Sequence, residues 1–196
     1  LALTYQEGYR SGGTSVSFFG GNVSPYAPEY TRTVELAYRG RWWDRQLRLN
    51  ANVFYTDWRD QQVTIGETSG FETVTENAGR SHLYGLEAEA LWAFDAPIDL
   101  FFSGGLLRTA FDEFVNDGED YANKSLPYAP EYRVGAGLQM RAWRRFSGQV
   151  TVQRIGSLFS DPDNDPRSAA PARTLVNARV DYRLPAGFSV AVYGRN

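Results

Sequence analysis

From Val34 onward the chain returns an apolar side chain to every second position and keeps formal charge off that face. Val34, Leu36, Tyr38, Gly40 and Trp42 alternate with Glu35, Ala37, Arg39 and Arg41. Leu47, Leu49, Ala51, Val53 and Tyr55 alternate with Arg48, Asn50, Asn52 and Phe54. The same two-residue period runs through 84–94, 132–142, 176–184 and 188–195. It reappears less cleanly in 98–109 and 146–156, and a further short strand is expected at 1–6. Period two is the signature of β-strands, because successive side chains leave opposite faces of the pleat. The reading is all-β: an antiparallel up-and-down meander of about nine strands, with no convincing helical period.

Length and charge narrow this further. Alternation over about ten residues exceeds the usual strand of about 5–6. It matches the roughly 9–11 residues of a tilted membrane strand. Arg or Lys at the bilayer midplane costs about 2–4 kcal/mol, so lipid would select an apolar face free of charge. The opposite face carries Glu35, Arg39, Arg41, Arg48, Glu87, Glu89, Arg133, Arg141, Arg179, Asp181, Arg183 and Arg195. The longest apolar run, Ala90 to Phe94, is far below the roughly 20 residues of a spanning helix. The expectation is therefore part of a transmembrane β-barrel.

The connections alternate in length as they do in such barrels. Short ones are expected at Trp43-Asp44, Asp95-Ala96-Pro97, Arg144-Arg145 and Pro185-Ala186-Gly187. Long ones are expected over Gly8–Glu29, Gly66–Asn77, Asp112–Pro130 and Ser160–Ala172. Rings gather at the short turns: Trp42, Trp43, Trp92, Phe94, Trp143, Phe146 and Phe188. That is the decoration of a membrane–water boundary. Pro25-Tyr26-Ala27-Pro28-Glu29-Tyr30 recurs as Pro127-Tyr128-Ala129-Pro130-Glu131-Tyr132, at the entry to two strands of equal parity.

Composition removes several chemistries. Twenty Lys and Arg face 23 Asp and Glu, a net charge of −3, so no nucleic-acid partner is expected. Cysteine is absent and His82 is the one histidine. This excludes thiolate metal sites, Cys nucleophiles and His clusters. Asp161-Pro162-Asp163-Asn164-Asp165 begins like a calcium loop, but Pro166 and Ala172 stand where the turn glycine and the bidentate glutamate belong. It reads as a solvated loop. Glu87 and Glu89 share a strand face; they read as wet lumen charges pairing with Arg48 or similar neighbours, not as a catalytic pair. His82 reads as a boundary residue. The expectation is no enzyme, no catalytic residue, no bound cofactor and no metal site. The N-terminal Leu1-Ala2-Leu3-Thr4 does not read as a signal peptide.

Several stretches resemble the barrel of TonB-dependent outer-membrane receptors, in its C-terminal portion. They are Gly8-Tyr9-Arg10, Pro28-Glu29 with Glu35-Leu36, and Asn52-Val53-Phe54-Tyr55 leading to Asp60-Gln61-Gln62. Asn77-Ala78-Gly79 with Gly85-Leu86-Glu87-Ala88-Glu89 is the most specific, and Val192-Tyr193-Gly194-Arg195-Asn196 resembles the start of the Asn-Leu-Phe-Asp box. Ala37 departs from the pattern where glycine is common. The resemblance covers nearly all of the chain and implies a piece, over 1–196, of a plugged barrel of about 22 strands. The plug domain and the final strand lie outside it. Two open edges and an exposed apolar face predict that such a piece is not stable alone.

The resemblance also implies a Gram-negative outer-membrane location, lipid around the wall, and TonB engaged through the missing N-terminal part. The implied cargo is a metal chelate, a ferric siderophore first among them. Tyr9, Arg10, Phe18, Phe19, Tyr26 and Trp58 are the candidate cargo contacts, since aromatic and guanidinium groups suit large anionic chelates. Tyr26 and Trp58 have a second reading as an outer aromatic belt. The alternatives are a passive porin or adhesin, which would lack a plug, and a soluble carbohydrate-binding β-sandwich, which demands shorter strands and buried apolar faces.

Overall fold

The computed structural model describes residues 1–16, 23–66, 73–116 and 118–196. Nine long strands form one antiparallel sheet in strict chain order. They are β1 (Ala2–Arg10), β2 (Glu29–Trp42), β3 (Leu47–Gly66), β4 (Thr73–Ala93) and β5 (Ile98–Glu113). They continue as β6 (Tyr132–Trp143), β7 (Phe146–Ile155), β8 (Arg173–Arg183) and β9 (Ser189–Arg195). Short two-stranded ribbons decorate the long connections, the first pairing Gly13–Val16 with Val23–Tyr26. Helical structure among the described residues is confined to two single 3₁₀ turns, Pro166–Ser168 and Pro185–Gly187.

The register carries the alternation across strands, so one face stays apolar. Leu3, Leu36, Val53, Leu86, Leu106 and Tyr132 form one row. Trp42, Leu47, Trp92, Leu100, Leu138, Val150 and Ala178 form another nearer the short turns. Most of these side chains are exposed in the chain by itself, Leu86 keeping 42% of its surface and Leu106 55%, and Leu47, Trp92, Leu100 and Tyr132 are partly covered. A contiguous apolar face of this extent requires an apolar neighbour.

Rings bound this face at both ends. Beside the short turns Trp92 packs against Trp43 at 5.4 Å and Phe94 at 4.7 Å. Phe146 meets Tyr182 at 4.7 Å, and the Arg144 guanidinium lies over Trp143. Toward the long loops, Tyr5, Val34, Tyr55 and Tyr84 share a row. The eight-residue step from Leu47 to Tyr55 covers about 26 Å of strand, or about 20 Å across the bilayer when tilted, close to the ~25 Å apolar band of such barrels. Arg108 and Arg154 also lie on the outer face, in rows with Tyr84 and Val134, near the long-loop ends of their strands. Arg154 donates to the Thr174 hydroxyl there at 3.0 Å.

The long loops are shorter than the sequence suggests, because strands run on past the tyrosine row. β1 continues to Arg10, β4 begins at Thr73 and β5 reaches Glu113. The β3–β4 hairpin projects about eleven residues beyond Tyr55 and Tyr84, or about 35 Å. Asp60 takes a positive φ of 52°, and the β4–β5 register shifts between Arg80 and Ser81. Such irregularities re-aim side chains: Ala78 and Ser81, three apart, are both fully buried. The buried apolar cluster of the described residues sits here, as Val63, Ala78, Phe111, Phe114 and Leu126 with Val74, Tyr121 and Ala129. A single curved sheet cannot build a core inside its own wall. The loops build one above it instead.

Candidate functional site

The charged face is concave. It bounds a groove of about 1060 Å³ whose lining includes Glu35, Arg39, Arg41, Arg48, Glu87, Glu89 and Arg133. Cross-strand pairing sets their order. Asn50 lies opposite Glu89, Asn52 opposite Glu87, and Arg41 directly opposite Arg48. Among the described residues these charged groups make no ion pair with one another. The expected pairing of Glu87 and Glu89 with Arg48 is therefore corrected. The register sets Arg48 opposite Leu91, while Asn50 and Asn52 occupy the places facing the two glutamates. Gly85 lets the wall close: a Cβ there would sit 2.5 Å from the Leu106 carbonyl oxygen and 2.7 Å from the Phe54 ring.

At the long-loop end, motif residues far apart in sequence meet in one hydrogen-bonded knot. The Asn77 side-chain amide accepts from the Ala27 N–H at 2.7 Å and donates to the Ala27 and Asp60 carbonyls. Gln62 donates its side-chain amide to Ser11 and Ala27, and its own N–H to Glu29 Oε2 at 2.7 Å. Ser81 Oγ donates to Gln61 Oε1 at 2.6 Å in a buried pair. Glu29 is 6% exposed, with Arg10 Nη1 3.7 Å away. Unpaired polar groups buried this far would cost about 1–3 kcal/mol each, so the pairings specify how the loop enters β2.

The repeated hexapeptide is used differently the second time. Asn164 Oδ1 accepts from the Ser125 N–H at 2.7 Å and its Nδ2 donates to the Ser125 carbonyl. This clamp on the incoming segment mirrors the one Asn77 makes. Glu131, however, stays 61% exposed and pairs with Arg108.

The candidate cargo contacts separate by face. Arg10 and Trp58 lie on the inner face, Trp58 in register with Thr31 and Ser81. The Trp58 indole N–H is buried without a hydrogen-bond partner among the described residues. Tyr9 lies on the outer face, 5.7 Å from Tyr30. Tyr26 is half-buried in the first ribbon, its hydroxyl where a Gly13 Cβ would be. Phe18 and Phe19 lie outside the described residues. Trp58 faces inward, which corrects its belt reading, and Tyr5, Tyr55 and Tyr84 lie in the outer row. His82 stacks between Tyr55 and Tyr84 and its Nδ1 lies 2.8 Å from Asp112, a boundary position.

The knot and the loop core escaped sequence reading. The Asn77, Gln62 and Glu29 motifs were visible separately, but nothing in their spacing says that they touch. In the Asp161–Asp165 loop the carboxylates turn inward: Asp163 accepts from the Asp165 N–H, and Asp165 accepts from the Arg167 backbone and guanidinium. Among the described residues no three His, Asp or Glu side chains gather as a ligand set. Arg167 holds the Asp165 carboxyl down to about 2. A depressed carboxylate stabilises above its unfolded value and loses that contribution as pH falls through the folded one. A carboxyl NMR titration should place Asp165 near 2, and Arg167→Ala should return it toward 3.8.

A long meander with apolar rows outside, ring-bounded at both ends, and a charged groove inside is a stretch of transmembrane β-barrel wall. The family model of the TonB dependent receptor-like β-barrel matches residues 1–196, and the chain belongs to that family. Its members are transport receptors of the Gram-negative outer membrane, not enzymes. Among solved structures, the ferric yersiniabactin uptake receptor FyuA from Yersinia pestis superposes with a TM-score of 0.79 at 23% identity, covering 99% of this chain and 29% of that one. The siderophore receptor PiuA from Acinetobacter baumannii gives 0.69 at 14%, covering 97% and 29%. The copper transporter OprC gives 0.66 at 14%, covering 87% and 25%. The chain thus spans under a third of each of these structures.

Proposed function

We propose that this chain is part of the wall of an outer-membrane receptor that imports a metal chelate, a ferric siderophore by preference, with energy delivered through TonB. The observation that carries the reading is the two-sided wall: a predominantly apolar ring-bounded exterior, with Arg108 and Arg154 near the long-loop ends, and a groove whose arginines and glutamates lack ion-pair partners among the described residues. Such a groove favours a polar filling, which a plug domain outside residues 1–196 would supply. It does not favour the dry second sheet of a sandwich. The similar structures named for ferric yersiniabactin and siderophore uptake support the cargo class.

Cargo would meet the mouth of the wall, where Arg10 offers charge and Trp58 and Tyr26 offer rings. Phe18, Phe19 and Tyr9 complete the candidate set, Tyr9 from the outer side. The test is deletion of the gene for the full-length receptor, followed by growth on iron supplied as single siderophores, haem, or with cobalamin panels. Loss of growth on one ferric siderophore, reproduced by loss of TonB, is the expected result. Unchanged uptake across all panels would overturn the cargo class, and uptake that survives loss of TonB would favour a passive pore.

A further inference from the structure

The groove is divided by charge. Arg39 and Arg41 stand on β2 and Arg48 on β3, Glu87 and Glu89 stand on β4, and Asn50 and Asn52 separate the two signs. The division is sharpest at the short-turn end. There Arg41 lies directly opposite Arg48, next to the Trp42–Leu47 pair that leads into the turn. Like charges so placed repel. Arg39 follows two residues along the same face of β2, about 7 Å away.

Among the described residues nothing offsets that repulsion. None of the three guanidinium groups has an ion-pair partner, and all three residues are exposed to the groove. Along the row that starts with Arg41 and Arg48, the next inward-facing residues are Leu91 on β4, Phe101 on β5 and Gly137 on β6. That row contains no carboxylate. The Phe101 ring lies over Gly137, where any Cβ would collide with it. A ring thus lies along the inner wall two strand spacings from Arg48, about 10 Å, with Leu91 between them.

We infer that this corner is an exit subsite for an anionic metal chelate. Arg41 and Arg48, with Arg39 beyond them, hold the chelate's phenolate, catecholate or carboxylate oxygens as it leaves the lumen at the short-turn end, and Leu91 and Phe101 take its ring portion. Guanidinium forks match paired anionic oxygens and stack on aromatic groups. Unpaired cations on a low-dielectric wall raise the local concentration of anions. The candidate cargo contacts named above lie at the opposite, long-loop end, so this subsite serves release and not capture. A seated plug would cover it, and cargo reaches it only after leaving the mouth. The inference rests on the transport reading above.

The test uses the full-length receptor in intact cells, with radioactive iron supplied as ferric tricatecholate or ferric citrate, both anionic, or as an uncharged ferric trihydroxamate. Binding at the cell surface is read without energy, and uptake with it. In R41Q/R48Q the surface affinity for the anionic chelate should be unchanged, while its rate of uptake falls about tenfold, the loss expected for one charged hydrogen bond. Arg48→Gln alone should give a smaller loss in the same direction, and it serves if the double variant fails to assemble. Arg45→Gln, in the adjoining short turn, should leave uptake unchanged.

Undiminished uptake of the anionic chelate by the glutamine variants would overturn the inference. So would a receptor that carries the uncharged trihydroxamate alone. Equal slowing of anionic and uncharged chelates, with faster hydrogen exchange in the plug, would show that the arginines dock the plug instead, and would also overturn it. An unaltered receptor that takes up none of the three chelates defeats the transport reading beneath, whereas one that takes up an anionic chelate without need of Arg41 and Arg48 defeats this inference alone.

Discussion

Ala51→Arg is expected to cost the assembled barrel about 2–4 kcal/mol, the penalty for a guanidinium near the bilayer midplane. Asn52→Arg, one residue along, is expected to be nearly neutral. Ala51 sits midway between the lower and upper ring rows, flanked in register by Tyr38 and Ala88 on the apolar face. Asn52 faces the groove with Glu87 directly opposite, so an arginine there gains a cross-strand partner worth about 0.2–1 kcal/mol. The two variants have the same added side chain at neighbouring positions of one strand. Equilibrium unfolding of the full-length receptor in bilayers, with heat-modifiable gel mobility as the assay of assembly, separates them. Equal destabilisation would mean that both faces are packed against protein, and the wall reading would fall.

Glu29→Ala should loosen the mouth of the wall by about 2 kcal/mol, while Glu131→Ala, the same place in the repeated hexapeptide, should cost under about 1 kcal/mol. Glu29 is almost fully buried and its Oε2 accepts the Gln62 N–H at 2.7 Å. Removing a charged acceptor from a buried donor costs about 1.5–3 kcal/mol. Glu131 and Arg108 are both more than half exposed, and exposed ion pairs contribute about 0.2–1 kcal/mol. Hydrogen exchange at the Gln62 amide should accelerate in the first variant, along with proteolysis of the β3–β4 hairpin. If both variants behave alike, the buried knot is not what anchors the loop entering β2.

The wall was largely legible from residues alone. Eight strands follow from alternation, including the two mixed ones at β5 and β7, because strand side chains reach one face or the other by backbone geometry; β1 was expected only as a short strand over 1–6. The short turns were equally legible, since Trp43, Arg144 and Pro185 interrupt that alternation. Strand ends toward the long loops were not. Thr73–Asn77 alternates weakly, and it belongs to β4 because β3 provides the ladder beside it. The pairing proposed for Glu87 with Arg48 failed for a related reason: a shared face gives parity, while the partner depends on register.

Parity, and with it the division between a lipid side and a wet side, is local chemistry, and the order of residues in the chain was enough to determine it. Adjacent positions cannot trade faces without a bulge. Which residues touch was decided only in three dimensions. Asn77 closes on Ala27 across 50 residues, Phe111 is buried by the loop that follows it, and Arg59 comes to face Arg80. Those contacts depend on hairpin register and on the bend at Asp60 and Arg80, and both are set by the whole sheet.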